Sequence, residues 1–259
     1  MTSPQSYSQF GEDCQIVRFF GKDWRGVFVD VGANDGLHGS NSYLLEHNGW
    51  RGFLVEPNAR LAEFCRNTRP RSIVINKAAV GDPHVHEVEV FEYYGVHHTH
   101  DNYDGLSSVG SPSALHHIAV AGGATVRRVS VPAATLDHML EELRFEGTTD
   151  LVSIDVEGLE LEVLKGFSLN RYRPRLLIIE DNSIGEDTRV VSYLASQGYL
   201  RVHRTGVNDW FVREQDIGAF RAHRLMLWLR MQLWKLTRPA RRAASELLNR
   251  IRGATQTTS

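Results

Sequence analysis

An open α/β fold with a doubly wound, mostly parallel sheet is predicted by three features of the sequence. Five runs of strand length are almost continuously apolar, which is typical of strands buried on both faces. Stretches with helical periodicity separate these runs, and this alternation favours helices on both faces of one sheet. Two further strand-like runs near the end have only a short turn between them, which predicts an antiparallel hairpin at the edge of the sheet.

The predicted strands and helices alternate along the chain. The apolar runs are Val27–Val31, Gly52–Val55, Ile73–Asn76, Leu151–Ile154 and Leu176–Ile179. The helical stretches are Ser40–Asn48, Asn58–Asn67, Thr135–Leu143, Leu159–Lys165 and Glu186–Gln197. The hairpin is predicted from Tyr199–Arg204 and Asp209–Arg213, which flank Thr205–Asn208.

The segment between Tyr93 and Ala124 lacks such periodicity and is rich in Gly, Ser, His and Asn. A loop of this length inside a compact domain is usually a lid or a binding element. We therefore expect this segment to contribute to ligand binding.

Composition excludes several classes of protein. The 259 residues are 42% apolar and 23% charged, which suits a globular chain with a real core and not a disordered one. Two cysteines, Cys14 and Cys65, are too few for a disulfide framework and suit a reducing compartment. We see neither a secretory signal in the polar first residues nor an apolar stretch long enough for a spanning helix. The expected setting is cytosolic.

Positive charge is concentrated near the end of the chain. Residues 218–253 hold nine basic residues and one acid, whereas the rest of the chain holds 20 basic and 30 acidic residues. We therefore predict a main domain over residues 1–217 and a basic amphipathic helical tail over residues 218–259. Trp228, Trp234 and several leucines lie among the arginines, so peripheral contact with the inner face of a membrane and packing against a second subunit are both open. Without a groove-reading motif, nucleic acid is not an expected partner.

Glycines and acids follow the first predicted strand in Phe28–Gly36 (FVDVGANDG). Ligands of open α/β sheets bind just beyond the strand ends, and Gly32 and Gly36 let the backbone turn tightly and approach a ligand. The spacing differs from the G-x-G-x-x-G of pyrophosphate-binding loops, and Asp30 and Asp35 would repel phosphates. The loop therefore favours a cofactor with a cationic group.

Glu56 ends the second predicted strand, and Asn58 is in position to cap the helix that follows. An acid at the tip of this strand accepts hydrogen bonds from ribose hydroxyls in nucleoside-binding folds. An NAD(P)-dependent oxidoreductase would use Glu56 equally well. The missing third glycine and the acidic first loop argue against that alternative.

Acids also follow two later strands. Asp155 and Glu157 come after Leu151–Ile154, and Glu180 and Asp181 come at the end of the next apolar run. Asp155, Glu180 and Asp181 together are a predicted site for a hard cation such as Mg²⁺, which prefers oxygen ligands. The alternative is that Asp155 contacts only the cofactor and Asp181 begins a loop.

Six segments of the chain form a combination typical of one enzyme family. They are Tyr7–Asp13, Phe28–Gly36, Glu56–Asn58, Ala78–Gly81, Leu136–Asp137 and Ile154–Gly166. Together they resemble the FkbM family of S-adenosylmethionine-dependent methyltransferases over residues 7–213. The resemblance implies a Rossmann-like class I methyltransferase fold with a seven-stranded sheet. Since members mostly methylate sugar or macrolide hydroxyls, it also implies O-methylation of a glycan, glycolipid or glycosylated natural product.

The resemblance also implies which residues bind S-adenosylmethionine. Asp30, Gly32 and Asn34 would surround its amino-acid end, Glu56 its ribose, and Val80, Gly81 and Asp82 its adenine, with Asp155 beside the reactive methyl. The predicted cofactor set is Gln9, Asp30, Gly32, Ala33, Asn34, Gly36, Glu56, Asn58, Val80, Gly81 and Asp155. A non-catalytic binding protein with this fold is a further alternative, disfavoured by the four acids retained at strand ends.

The catalytic prediction starts from the acceptor, because a sugar hydroxyl needs a base or a cation that lowers its pKa. Asp155 is predicted at the reacting centre, with Glu157 beside it as the first candidate base. His98, with its neighbours His97 and His100, is the second, since imidazole titrates near neutral pH. His116 and His117 form a weaker third group.

The acid placement is also similar to that of magnesium-dependent O-methyltransferases. Those enzymes commonly carry a Lys or His base three residues past the first acid, and here that position is Gly158. Either the base lies elsewhere or the metal analogy fails. Ser107 and Ser108 resemble a family serine that contacts cofactor or acceptor.

Overall fold

The computed structural model describes residues 5–94, 97–98, 101–102, 107–109, 125–183 and 185–216. Its strands are β1 (Val27–Val31), β2 (Arg51–Val55), β3 (Ile73–Ile75), β4 (Ala78–Ala79), β5 (Glu87–Tyr94), β6 (His97–His98), β7 (Asp101–Asn102), β8 (Ser107–Val109), β9 (Thr125–Ala134), β10 (Leu151–Ile154), β11 (Leu176–Glu180), β12 (Tyr199–Thr205) and β13 (Asn208–Arg213). Its described helices are α1 (Glu12–Phe20), α2 (Tyr43–His47), α3 (Ala59–Thr68), α4 (Leu136–Glu142), α5 (Glu160–Lys165), α6 (Leu169–Tyr172) and α7 (Arg189–Ser196).

Seven strands form the main sheet in the order β12-β13-β11-β10-β1-β2-β3. The five strands from β11 to β3 run parallel, and β13 pairs antiparallel with β11 and with β12. This arrangement confirms the predicted mostly parallel sheet with an antiparallel edge hairpin. The chain runs outward from β1 to β3 and then crosses to β10 on the other side of β1, so strand order reverses between β1 and β10. Ligands of such sheets bind at this reversal.

Both faces of the sheet are buried, which explains the continuous apolar runs. Val29 in β1 belongs to a core that includes Leu140 of α4 and Leu164 of α5. The neighbouring Phe28 belongs to the opposite core, with Ile16 of α1 and other residues of α2 and α3. Side chains alternate between faces along a strand. A strand covered by helices on both sides therefore has apolar residues at successive positions.

A second, four-stranded sheet with the order β4-β9-β5-β8 was not predicted from the sequence. Its central pair is antiparallel, from Glu87 opposite Pro132 to Tyr94 opposite Thr125. Apolar and polar residues alternate in β5, as expected where only one face is covered. The prediction of one long loop between Tyr93 and Ala124 is wrong for part of this segment. β5 extends to Tyr94, and the short strands β6, β7 and β8 follow within the segment. Other residues of that segment lie outside the described ones.

The helix predicted at Ser40–Asn48 is shorter than expected and spans Tyr43–His47, because residues 40–42 are not helical. The basic tail begins beyond residue 216, so its role and the boundary at residue 217 stay predictions. Within the described part of the chain, no helix combines the length and apolar character needed to cross a membrane.

Candidate active site

A cavity of about 390 Å³ opens at the carboxyl ends of β1, β2 and β10, in the size range of small-molecule sites. Its lining comprises Gln9, Asp30, Gly32, Ala33, Asn34, His38, Gly39, Ser40, Asn41, Glu56, Pro57, Ser153, Asp155, Val156 and Glu157. Seven of the eleven predicted cofactor residues, Asp155 among them, thus line one cavity. The other four are Gly36, Asn58, Val80 and Gly81. We call this space the first cavity.

The turn after β1 requires glycine at position 32. Gly32 has a φ of 81°, and a Cβ built on it would lie 1.8 Å from the backbone oxygen of Asp155. Its N–H donates to the carbonyl oxygen of Val55 at 2.9 Å. Asn34 adopts a left-handed φ of 54° without being glycine. Such backbone conformations are uncommon outside glycine and cluster at functional sites.

Glu56 is 2% exposed and forms hydrogen bonds with the turns that follow β1 and β2. Its Oε2 accepts from the N–H of Asn34 at 2.9 Å, and its Oε1 accepts from the N–H of Asn58 at 2.8 Å. Burial raises the pKa of Glu56 to about 8, against the opposing effect of these two hydrogen bonds. A protonated carboxyl keeps acceptor capacity beyond these two bonds and adds an O–H donor, so Glu56 has room for a hydroxyl partner.

Asp30 is 6% exposed and accepts from the hydroxyl of Ser42 at 2.5 Å through its Oδ2. Burial raises the pKa of this carboxyl, whereas the Ser42 hydrogen bond and the positive charge of Arg69 act to lower it. No local pattern predicts that Ser42 and Arg69 act on Asp30, because Ser42 lies in one predicted helix and Arg69 lies beyond the next one.

Four predicted cofactor residues lie outside the cavity lining. The side chain of Asn58 caps α3, accepting from the N–H groups of Arg60 and Leu61 at 3.0 and 3.2 Å. Gly36 faces Arg69 and α3, and Gly81 packs so closely on α5 that a Cβ would lie 2.5 Å from the carbonyl oxygen of Glu162. Val80 precedes it and donates its N–H to Ala134. These positions have structural roles in the described chain.

The N-terminal segment forms one wall of the first cavity through Gln9. Glu12 anchors this segment, because its Oε1 accepts from the Thr205 hydroxyl and from the Asn208 amide, both at 2.9 Å. Ser8 also bridges to Gly39 as a short parallel β-bridge. His38, which sequence reasoning missed, lines the same cavity with its Nδ1 2.6 Å from Oδ2 of Asp35. The three-residue spacing of Asp35 and His38 in the loop after β1 was the sequence feature that could have pointed to His38.

Three carboxylates meet at the edge of the first cavity. Asp155, Glu157 and Glu180 each have an oxygen within 4.8 Å of the others, and we call them the carboxylate cluster. Glu157 has a left-handed φ of 57°. Burial, with the charges of Asp155 and Glu160, raises its pKa to about 7. Burial and the adjacent Asp155 raise the pKa of Glu180 to about 10, and burial also raises the pKa of Asp155.

The predicted metal trio is not the trio that the structure brings together, because Asp181 turns away. Its Oδ2 accepts from Arg204 at 2.8 Å and from the N–H of Gly185 at 2.6 Å. Burial tends to raise the pKa of Asp181, but hydrogen bonds from Ser183 and Arg204 outweigh it and lower the pKa. Glu157 takes the third place beside Asp155 and Glu180.

The structure does not describe the side chain of any histidine predicted as a base. His97 and His98 form β6, of which only the backbone is described, and the same holds for Ser107 and Ser108 in β8. His100, His116 and His117 lie outside the described residues. Glu157 is thus the predicted base that the structure places at the cavity.

A second cavity, of about 260 Å³, adjoins the first and shares Glu157 with it. One wall is apolar and includes Leu161, Ile179, Val190 and Phe211. The polar lining includes Glu157, Glu160, Glu180, Asp181, Asp187 and Arg189. The carboxylate cluster therefore lies between the two cavities. In the lining of the second cavity, carboxylates outnumber cationic side chains.

The family model of the methyltransferase FkbM domain matches residues 30–201. No curated protein matches significantly. Among solved structures, the precorrin-6Y C5,15-methyltransferase of Geobacter metallireducens GS-15 is 11% identical, with a TM-score of 0.42 and coverage of 82% of this chain and 92% of that one. The TehB-like SAM-dependent methyltransferase of Corynebacterium glutamicum ATCC 13032 is 12% identical, with a TM-score of 0.39 and coverage of 80% and 89%. The O-methyltransferase of Bacillus cereus, in complex with SAH, is 12% identical, with a TM-score of 0.40 and coverage of 81% of each chain.

Proposed function

This chain belongs to the FkbM methyltransferase family, and from that premise we propose that it transfers the methyl group of S-adenosylmethionine to a hydroxyl of a sugar or glycan. The observation that supports this most is the position of Glu157, which lines both cavities. One cavity then receives the methyl donor and the other the acceptor. The family match favours a methyltransferase over the oxidoreductase and the non-catalytic binding protein considered above.

The first cavity has the chemistry to bind S-adenosylmethionine. Its ionisable lining residues are acids apart from His38, which suits a donor with a sulfonium and an ammonium group. The absence of a side chain at Gly32 lets the turn after β1 pack against the backbone of Asp155, which also lines this cavity. Asp30 is the proposed acceptor for the ammonium group, and Glu56 for the ribose hydroxyls.

When bound, S-adenosylmethionine supplies a methyl group on a positively charged sulfur. The protein's part is to place the acceptor oxygen in line with that methyl group and the sulfur. Such orientation is its largest contribution to lowering the activation barrier. We assign Glu157 as the general base that would take the hydroxyl proton as the new O–C bond forms and the S–C bond to the methyl group breaks, with S-adenosylhomocysteine as the leaving group. Its pKa of about 7 leaves a substantial fraction ionised at neutral pH. Asp155 stays an acceptor beside the developing reaction, with Glu180 as its protonated partner.

The second cavity is the proposed acceptor site. Carboxylates accept hydrogen bonds from hydroxyl groups, and the apolar wall of Leu161 and Phe211 suits the less polar face of a sugar ring. The same carboxylates repel phosphate and carboxylate groups near the reacting hydroxyl. This composition favours a neutral or amino sugar over an anionic one.

The negative charge of the carboxylate cluster can be neutralised by bound protons, as assumed above, or by a bound Mg²⁺ ion. Three carboxylate oxygens within 4.8 Å of one another are suitable ligands for a hard cation. Chelation separates the two cases: transfer that survives EDTA rejects the cation, and transfer lost on EDTA and restored by Mg²⁺ supports it.

The test of the proposed function is transfer of labelled methyl groups to glycans, with the product identified by the mass of one added CH₂ group. Asp155→Asn is expected to lose transfer while it still binds S-adenosylhomocysteine. Unchanged transfer in that variant would remove Asp155 from the mechanism. A thermal shift with NAD(P)⁺ but none with S-adenosylhomocysteine would favour the oxidoreductase.

The basic tail supports a further part of this proposal. We propose that it brings the enzyme to a glycolipid acceptor at a membrane surface, or else mediates homo-oligomerisation. Both possibilities rest on the sequence of residues 218–259 alone.

A further inference from the structure

Arg69 is a buried arginine behind the first cavity. It follows α3, is 1% exposed, and does not belong to the cavity lining. Its guanidinium lies over the rings of Phe28 and Tyr43, 5.4 and 5.6 Å from their centroids. A buried charge is costly unless it is paired and hydrogen-bonded, so the partners of Arg69 indicate its role.

Each nitrogen of the Arg69 guanidinium has a partner. Nε donates to Oε2 of Glu46 at 2.8 Å, and Nη1 donates to the carbonyl oxygen of Gly36 at 2.9 Å. Nη2 donates to the Ser42 hydroxyl at 2.9 Å. Nη1 also lies 3.4 Å from the hydroxyl of Ser40, which lines the cavity. The guanidinium thus joins α2 to the glycine turn.

Ser42 extends this network to Asp30. Its hydroxyl accepts from Arg69 and donates to Oδ2 of Asp30 at 2.5 Å, and Ser42 itself is 0% exposed. Asp30 lines the cavity, and a carboxylate has about four acceptor positions, so the Ser42 hydrogen bond leaves room on it for a ligand. Ser42 does not line the cavity, so its effect on a ligand must act through Asp30.

We propose that Arg69 and Ser42 are positioning residues, which hold the Asp30 carboxylate oriented and ionised to accept the ammonium group of S-adenosylmethionine. This inference rests on the proposed function. Asp30 is buried and has the negative Asp155 nearby, and both conditions favour its neutral form. A protonated carboxyl is a weak acceptor for an ammonium ion. The hydrogen bond from Ser42 and the positive charge of Arg69 both favour the ionised carboxylate of Asp30 and so preserve the acceptor.

The test compares two ligands that differ at the amino-acid end. S-adenosylhomocysteine has the ammonium group, whereas 5′-methylthioadenosine keeps the adenosine and sulfur but lacks the whole amino-acid portion. Calorimetry on the full-length chain measures the affinity of each. In Ser42→Ala, we expect the affinity for S-adenosylhomocysteine to fall about tenfold or more, as for a lost hydrogen bond to a charged group, with 5′-methylthioadenosine unchanged.

Ser72→Ala is the matched control. The Ser72 hydroxyl donates to Oε2 of Glu46, so it belongs to the same network on the side away from Asp30. We expect this variant to bind both ligands as the wild type does. Ser42→Cys keeps the size of the side chain and replaces the hydroxyl with a weak donor, so it repeats the test if Ser42→Ala does not fold.

A double-mutant comparison addresses the route through Asp30. If Ser42 acts by positioning Asp30, then Ser42→Ala costs little further affinity in an Asp30→Asn background. Equal losses for both ligands, or full affinity for S-adenosylhomocysteine in Ser42→Ala, would overturn the inference while leaving the proposed function intact. A folded wild type that binds neither ligand would overturn the proposed function and this inference with it.

Discussion

The backbone oxygen of Asp155 occupies the space that a side chain on Gly32 would need. A Cβ at position 32 would lie 1.8 Å from that oxygen, well inside van der Waals contact. The turn after β1 and the turn after β10 therefore meet backbone to backbone. This contact sets the distance between the residues proposed to hold the methyl donor and those proposed to accept the proton.

Gly32→Ala is expected to abolish cofactor binding and to destabilise the fold by more than about 2 kcal/mol, since it combines a left-handed φ with a backbone clash. Gly198→Ala is the matched control, because Gly198 also has a positive φ but has nothing within 4 Å of its added Cβ. The control should show only the smaller strain cost. Urea unfolding and calorimetry with S-adenosylhomocysteine measure both effects, and equal losses in the two variants would contradict the role of the contact.

Glu157→Gln is expected to lower kcat by about 10²- to 10⁴-fold with little change in the affinity for S-adenosylhomocysteine, as for a lost general base. With a pKa of about 7, the wild-type base is ionised above neutrality, so activity should rise with pH through about 7. The variant should lack that rise. Glu162→Gln, at an exposed position on α5 with an ion pair to Lys165, is the control. A pH profile unchanged in Glu157→Gln would assign the base to another residue.

The stability of the cofactor-free protein should fall as pH rises, because Glu56 has a pKa of about 8 in the fold and about 4.5 when unfolded. The folded state keeps a proton that the unfolded state loses, so the contribution is complete below about pH 4.5 and is lost as pH passes about 8. Glu56→Gln removes this group and should flatten the dependence of Tm on pH. Glu180 and Glu157 shift in the same direction, so part of the slope remains. Glu63→Gln, at an exposed site on α3, should retain the full wild-type slope.

Leu161→Trp is expected to fill part of the second cavity and to lower kcat/KM for the glycan acceptor at least about tenfold. The affinity for S-adenosylhomocysteine should stay unchanged, because Leu161 does not line the first cavity. Leu143→Trp adds the same bulk at an exposed position as a control. A cofactor affinity that falls as much as acceptor turnover would contradict the division between the two cavities.

The basic tail is expected to bind vesicles that contain anionic lipid and to ignore neutral ones, with binding that weakens as salt is added. Because each basic residue near an anionic surface contributes about 1 kcal/mol, replacing Arg241 and Arg242 with Ala should weaken binding more than about tenfold. Co-sedimentation measures this. Full-length protein that ignores both kinds of vesicle would favour packing against protein.

Much of the main sheet is predictable from the sequence because burial on both faces leaves a local pattern. The runs that contain Phe28 and Leu151 are strands, and the acids that follow them do gather at one edge. The second sheet is harder to predict, because β5 pairs with β9 across a long segment and only one face is covered. Such pairing depends on a partner far along the chain, and no local spacing reveals it.

The composition of the carboxylate cluster was predicted only in part for a similar reason. Sequence order places Asp181 directly after Glu180, but the hydrogen bonds from Arg204 turn Asp181 away. The left-handed backbone at Glu157 brings that residue in instead. Arg69 and Ser42 likewise come together only through the packing of α2 against the end of α3. Motifs identify strand ends, whereas side-chain direction depends on partners distant in sequence.

The bond between Asn208 and Glu12 has a consequence for how the enzyme is made. These residues are 196 positions apart, and Glu12 anchors the segment that carries Gln9 to the cavity wall. During synthesis, Glu12 emerges from the ribosome long before β12 and β13 exist to receive it. The wall is therefore completed only after the final hairpin has been translated, and a nascent chain acquires the finished first cavity at the last stage of translation of the sheet.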